Sequence, residues 1–83
     1  MDGMTKSAGV KLWALLKCVK APAKKCVRMV EELDGQTLKL GEQRPDDEVF
    51  EYEGRTVLVI DSQMAKKHVG QKLDWQHGQF CFV

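Results

Sequence analysis

The 83-residue chain is 43% hydrophobic and 30% charged with only two prolines, which excludes a collagenous or disordered polymer and leaves room for one small domain spanning residues 1–83. Thirteen basic against twelve acidic side chains give a net charge of +1, so no global basic field marks the chain as a nucleic-acid binder. No apolar run reaches the roughly 18–20 residues of a membrane-spanning helix, and the opening MDGMTKSAGV lacks the basic-then-apolar order of a secretory signal. The cysteines, Cys18, Cys26 and Cys81, are odd in number and irregularly spaced, a poor disulfide framework that fits a reducing cytoplasmic setting. A chain this short buries only about 60–65% of its unfolded surface, so a partner or a second copy is expected to supplement a marginal core.

In chain order, Met1–Gly3 carry no structural signal, and Met4 is an alternative start. Thr5 is placed to cap a helix over Lys6–Val19, where Ala8, Leu12, Leu15, Leu16 and Val19 recur at steps of three and four, with Trp13 widening the apolar face. Pro22 breaks that helix, because proline has no amide proton and disfavours helix in the residue before it. Cys26–Leu33 and Gln36–Glu42 read as strands joined by Asp34-Gly35, a two-residue hairpin signal of type I′. After a loop at Gln43–Asp47, Glu48–Tyr52 and Arg55–Ile60 flank Glu53-Gly54, and the run Val57–Ile60 has the composition of a buried strand. Asp61-Ser62 caps a short helix over Gln63–Val69 that Gly70 ends. Lys72–Gln76 and Gln79–Val83 flank His77-Gly78 as a third hairpin. The fold class is therefore α+β: an N-terminal helix, mixed or antiparallel β-hairpins and one short helix.

Charge is segregated along the chain. Residues 1–28 carry a net +6, residues 29–54 a net −7 and residues 55–83 a net +2. An acidic band over Met29–Glu53 would steer a basic partner; alternatively, the two opposite blocks satisfy each other within the fold.

The segment Asp46–Asp61, DDEVFEYEGRTVLVID, resembles the centre of the HesB/IscA family, the A-type iron–sulfur carriers: an acidic alternating strand, a glycine turn, a valine-rich strand and an aspartate opening a short helix. GQKLDW at 70–75 and GQFCFV at 78–83 are similar to the family's last two strands, TKSAGVKL at 5–12 to its first helix and CVRMV at 26–30 to its first strand. The resemblance covers nearly the whole chain in order and implies a HesB-like domain.

It also implies a ligand set that is not matched. Carriers of the family use one cysteine in a loop after the first strand and two in a Cys-Gly-Cys tail, because soft thiolates hold iron–sulfur clusters. Here the loop position falls in the acidic turn Glu31–Gly35, and Val83 stands where the family's last core strand ends. Cys81 matches a position inside that strand, while Cys18 and Cys26 match the first helix and the start of the first strand. The expectation is the family's fold without its cluster ligands.

Other chemistry is sparse. No Cys-x-x-Cys or zinc-knuckle spacing occurs; His77 and Cys81, expected to face each other from the two arms of the third hairpin, are the remaining metal candidates. No nucleophile elbow, phosphate loop or HExxH helix is present, and Asp46, Asp47 and Glu48 read as a solvated acidic loop. The lysines Lys6, Lys17, Lys20, Lys24 and Lys25 lack the interleaved aromatics that stack bases. The sequence thus reads as a non-enzymatic protein with no cofactor, acting through a protein partner or a homo-oligomer, with a role in iron–sulfur cluster assembly or sulfur metabolism. The expected contact residues are Glu31, Glu32, Asp34, Asp46 and Asp47, with Lys24, Lys25 and Arg28 as the opposite patch. The alternatives are an iron or iron–sulfur carrier with unconventional ligands, and an accessory nucleic-acid contact through the basic helix. Charge reversal at Asp46 and Asp47 is expected to weaken partner capture without unfolding the domain.

Overall fold

Thr5 starts the first helix, α1 (Lys6–Cys18): its backbone is extended and its hydroxyl oxygen accepts a hydrogen bond from the Ala8 amide at 3.3 Å. The helix stops before the proline can act. Lys20 takes a left-handed conformation (φ 54°), and the Lys20 and Ala21 amides donate to the carbonyls of Lys17 and Leu16. This is a Schellman closure with lysine where glycine is usual, and Pro22 only follows it.

The computed structural model describes residues 1–83. After α1 come β1 (Cys26–Glu32), β2 (Gly35–Gly41), β3 (Glu48–Tyr52), β4 (Arg55–Ile60), α2 (Ser62–Lys67), β5 (Leu73–Gln76) and β6 (Gln79–Phe82). The first four strands form a mixed sheet in the order β2-β1-β4-β3, and β5-β6 form a separate two-stranded sheet. Three neighbours are antiparallel hairpin pairs; β1 and β4 run parallel, with Val27 beside Leu58 and Arg28 beside Val59. The α+β reading is correct, and the β3–β4 hairpin lies where the sequence puts it.

Two of the three hairpin turns have the expected chemistry: both central residues have positive φ in Glu53-Gly54 (53° and 76°) and His77-Gly78 (52° and 78°). The first hairpin differs. Glu32 pairs with Gly35, so Leu33 and Asp34 are the central residues, and only Gly35 has positive φ. The Asp-Gly signal locates the turn but misplaces it by one residue, because the register of seven paired positions between β1 and β2 decides which residues are left over.

The core joins Leu12 and Leu16 of α1 to Val27 and Met29 of β1, Leu58 and Ile60 of β4, Met64 of α2 and Leu73 of β5. All of Val57–Ile60 is fully buried, as a strand covered on both faces requires. The N-terminal residues are part of this packing rather than an appendage. Met1 is buried, the Asp2 amide donates to the Gln71 carbonyl at 2.7 Å, and Gly3 and Thr5 exchange hydrogen bonds with the backbone of Leu73. The absence of signal at Met1–Gly3 is therefore misleading: three residues are too few to show a period, yet they pair with a distant strand.

Gly9 lies where α1 meets β3, and a β-carbon there would stand 2.6 Å from Cδ1 of the Tyr52 ring. In an exposed helix, glycine to alanine gains about 1 kcal/mol. Here Gly9→Ala is expected to destabilise the domain by about 1–3 kcal/mol, the cost of overpacking a filled site, and Tyr52→Leu in the same chain should recover most of it. Urea unfolding of the two single variants and the double variant measures this.

Candidate functional site

Of the residues that the sequence marks as a charged recognition surface, the most consequential pair faces inward. Arg28 shares its sheet face with Val59, and its side chain is only 9% exposed. Its guanidinium donates to both carboxylate oxygens of Asp47, whose side chain is 4% exposed, and to the Glu42 carbonyl at 3.1 Å. Asp47 also accepts from the Arg44 amide at 2.7 Å. The 42–47 loop is thus fastened to β1 by a forked, charge-assisted pair. The Arg28 guanidinium, helped by the Arg44 amide, holds the Asp47 carboxyl below the ordinary aspartate range against the opposing effect of burial.

Other opposite charges also meet within the fold. Lys25 reaches Glu42 at 3.0 Å. Glu31 binds Lys67 at 2.9 Å through one oxygen and faces His68 Nε2 at 3.3 Å through the other, and the Lys67 contact lowers its pKa. Lys24, Glu32, Asp34 and Asp46 remain exposed, and none forms an ion pair. Arg28 and Asp47 are therefore corrected from surface contacts to a buried clamp, Glu31 and Lys25 are engaged inside the molecule, and the other four stand free.

The metal candidates do not converge. Cys81 in β6 stands opposite Asp74, whereas His77 occupies the turn itself in a left-handed conformation and is exposed. The expectation that these two face each other fails because the tight turn puts Gln76 and Gln79, not His77, at the first facing pair. Cys18 is exposed at the end of α1. Cys26 is buried in β1 with its thiol toward the Gly41 carbonyl at 3.6 Å; burial raises its pKa, partly countered by Arg28, which disfavours the thiolate that a metal needs. No group of three or more His, Cys, Asp or Glu side chains is positioned to hold a metal ion.

Three polar arrangements have no sequence signal of their own. Arg55, at the start of β4, donates to the carbonyls of Ala21, Pro22 and Lys25 at 3.1, 3.0 and 3.4 Å and so fixes the loop between α1 and β1. The Thr5 hydroxyl donates to Asp74 at 2.5 Å while capping α1, tying that helix to β5 and lowering the Asp74 pKa. His68 stacks on Phe82, with ring centroids 3.6 Å apart and planes 7° from parallel, and its two ring nitrogens face Gln71 and Glu31.

With this geometry in place, the class of fold can be stated: it is α+β, one long helix on a mixed sheet with an added hairpin. A solved structure that it resembles is Escherichia coli SufA, a protein involved in the biosynthesis of iron–sulfur clusters. The likeness has a TM-score of 0.68 and 23% sequence identity and covers 99% of this chain and 83% of SufA. No protein-family profile and no curated protein matches the sequence.

Asp47→Ala is expected to cost about 3 kcal/mol, because it strands the buried Arg28 charge, whereas Asp46→Ala should stay within about 0.5 kcal/mol. The depressed carboxyls of Asp47, Glu31 and Asp74 bind protons less readily folded than unfolded, so the stability they contribute is complete above the ordinary carboxylate range and is lost as the pH falls through their folded values. Urea midpoints for the parent chain should therefore drop on acidification below roughly pH 4. Asp47→Asn should show a smaller drop from a lower starting stability.

Proposed function

We propose that this chain is a non-enzymatic accessory protein of iron–sulfur cluster assembly or sulfur metabolism that binds a protein partner and does not itself carry a cluster. One observation carries the reading. The chain has the fold of a protein involved in iron–sulfur cluster biosynthesis over almost its full length, while its three thiols sit on an exposed helix end, in a buried strand and opposite an aspartate. A fold shared with such a protein but without convergent thiolates lacks the soft donors that hold iron and sulfide. No helix is long and apolar enough to cross a membrane, and the proposed setting is the cytoplasm.

The reading separates from that of a carrier with unconventional ligands by reconstitution. Incubation with ferrous iron, sulfide and thiol under anaerobic conditions should leave the gel-filtered protein without a stable visible absorption band. A retained band that disappears in Cys81→Ser would overturn the proposal in favour of a carrier. Partner capture has its own test, with the surface chosen from the residues that remain exposed. Replacing Glu32, Asp34 and Asp46 together by lysine should weaken capture of a basic assembly protein with little change in the thermal midpoint. The Asp47 reversal envisaged from sequence is unsuitable, because it breaks the buried clamp.

A further inference from the structure

No carboxylate lines the concave surface between α1, β2 and the β5–β6 hairpin. A concavity of about 510 Å³ lies between α1, β1, β2 and the β5–β6 hairpin, with Leu15, Met29, Leu38, Trp75 and Phe80 among its lining. It continues past Leu15 and Leu38 into a second, of about 220 Å³, where Leu16, Val19, Val27 and Leu40 take over. Across Lys11 and Trp75 it adjoins a third, of about 410 Å³, which adds Lys6 and Val10. None of the three is lined by an acidic residue, although the chain has twelve. Their charged lining residues are Lys6, Lys11 and Lys39. Five carboxylates line two other concavities: Glu31 and Asp61 in one, and Asp2, Asp46 and Glu48 in another.

The apolar floor of this groove is not fully covered by the fold. Leu38, Leu40, Val10 and Val19 are 39%, 52%, 44% and 62% exposed, four of the seven large apolar side chains left at the surface. Trp75 presents its ring beside Phe80, edge to face at 4.7 Å, and the Lys11 ammonium stands 4.7 Å above the same indole. Strand β2 bounds the groove and is an edge of the main sheet; its one charged residue, Lys39, is paired with Arg28 and so belongs to the face away from α1. A lysine on an edge strand guards against indiscriminate pairing.

We propose that the groove between α1, β2 and the β5–β6 hairpin binds an acidic segment of a partner protein, whose large apolar side chains enter between Leu38 and Trp75 while its carboxylates meet Lys6 and Lys11. A second copy of the chain is the less suitable occupant, because two-fold pairing of this face would set two lysine rims against each other. The proposal rests on the accessory reading and adds to it a second surface, separate from Glu32, Asp34 and Asp46 and of opposite charge preference. Its test uses neither iron nor sulfide, so it succeeds or fails independently of reconstitution.

The immobilised full chain is offered a random dodecapeptide display library, and selected peptides are then titrated against the Trp13→Phe variant, in which Trp75 is the single indole reporter. Selected sequences should be enriched in Asp and Glu flanking Leu, Ile or Phe, should shift the Trp75 emission and should bind more weakly as salt rises. Leu38→Asp and the double variant Lys6→Glu, Lys11→Glu should each weaken binding by about tenfold or more, as loss of a central anchor or of the matching charge does. Lys66→Glu, outside the groove, should bind as the parent does. The exposed lysine variants keep the test decisive if Leu38→Asp perturbs folding, which circular dichroism reports. Selection of basic or neutral peptides, or equal affinity in the groove variants, would overturn the proposal. So would displacement of the peptides by a single-stranded oligonucleotide. A micromolar dimer in sedimentation velocity that Leu38→Asp dissociates would assign the groove to a second copy instead.

Discussion

Strand β4 has no solvent-facing side: Val57, Leu58, Val59 and Ile60 are all fully buried. Successive side chains of a strand point to opposite faces, so covering such a run takes two separate devices. On one face, α1 lays Leu12 and Leu16 against Leu58, Ile60 and the neighbouring residues of β1. On the other, the register sets Arg28 beside Val59, and Arg28 draws in the 42–47 loop through Asp47. A buried ion pair is not an efficient source of stability compared with apolar packing, but losing one partner is costly. The loop is therefore held by an interaction that tolerates the removal of neither member.

The same constraint orders the periphery. Because α1 must lie flat on the sheet, its ends need fixing, and each is fixed by a polar contact from distant sequence. Thr5 binds Asp74 at the start, and Arg55 gathers the carbonyls of the loop after the end. Once α1 is fixed in this way, its far flank does not reach across β2. Leu38 and Leu40 consequently keep an apolar surface that a larger protein would bury. The basic residues of α1 rim this surface, whereas several acids of the middle block are drawn to Arg28, Lys25 and Lys67. The groove and its charge are thus by-products of how the sheet is covered.

This organisation also bears on the chemistry. Binding iron and sulfide needs several thiolates at one point, and the fold disperses the three cysteines over α1, β1 and β6. Cys26 is further removed from such use by burial, which favours its protonated form.

What the sequence determines by itself is what neighbouring residues settle among themselves. Thr5 and Asp61 accept hydrogen bonds from amides three residues on, and Glu53-Gly54 and His77-Gly78 adopt the turn their composition favours. The unbroken run Val57–Ile60 marks a doubly covered strand, since only burial on both faces suits four consecutive apolar side chains. The tertiary structure decides the rest. Arg28 and Asp47 are 19 positions apart, Arg55 and Ala21 34, and Met1 and Ala65 64, and no local pattern links such pairs. A lysine or aspartate reads as a surface charge until the sheet order shows what lies beside it, and here the parallel pairing of β1 with β4 turns one ion pair inward and leaves an apolar groove outside.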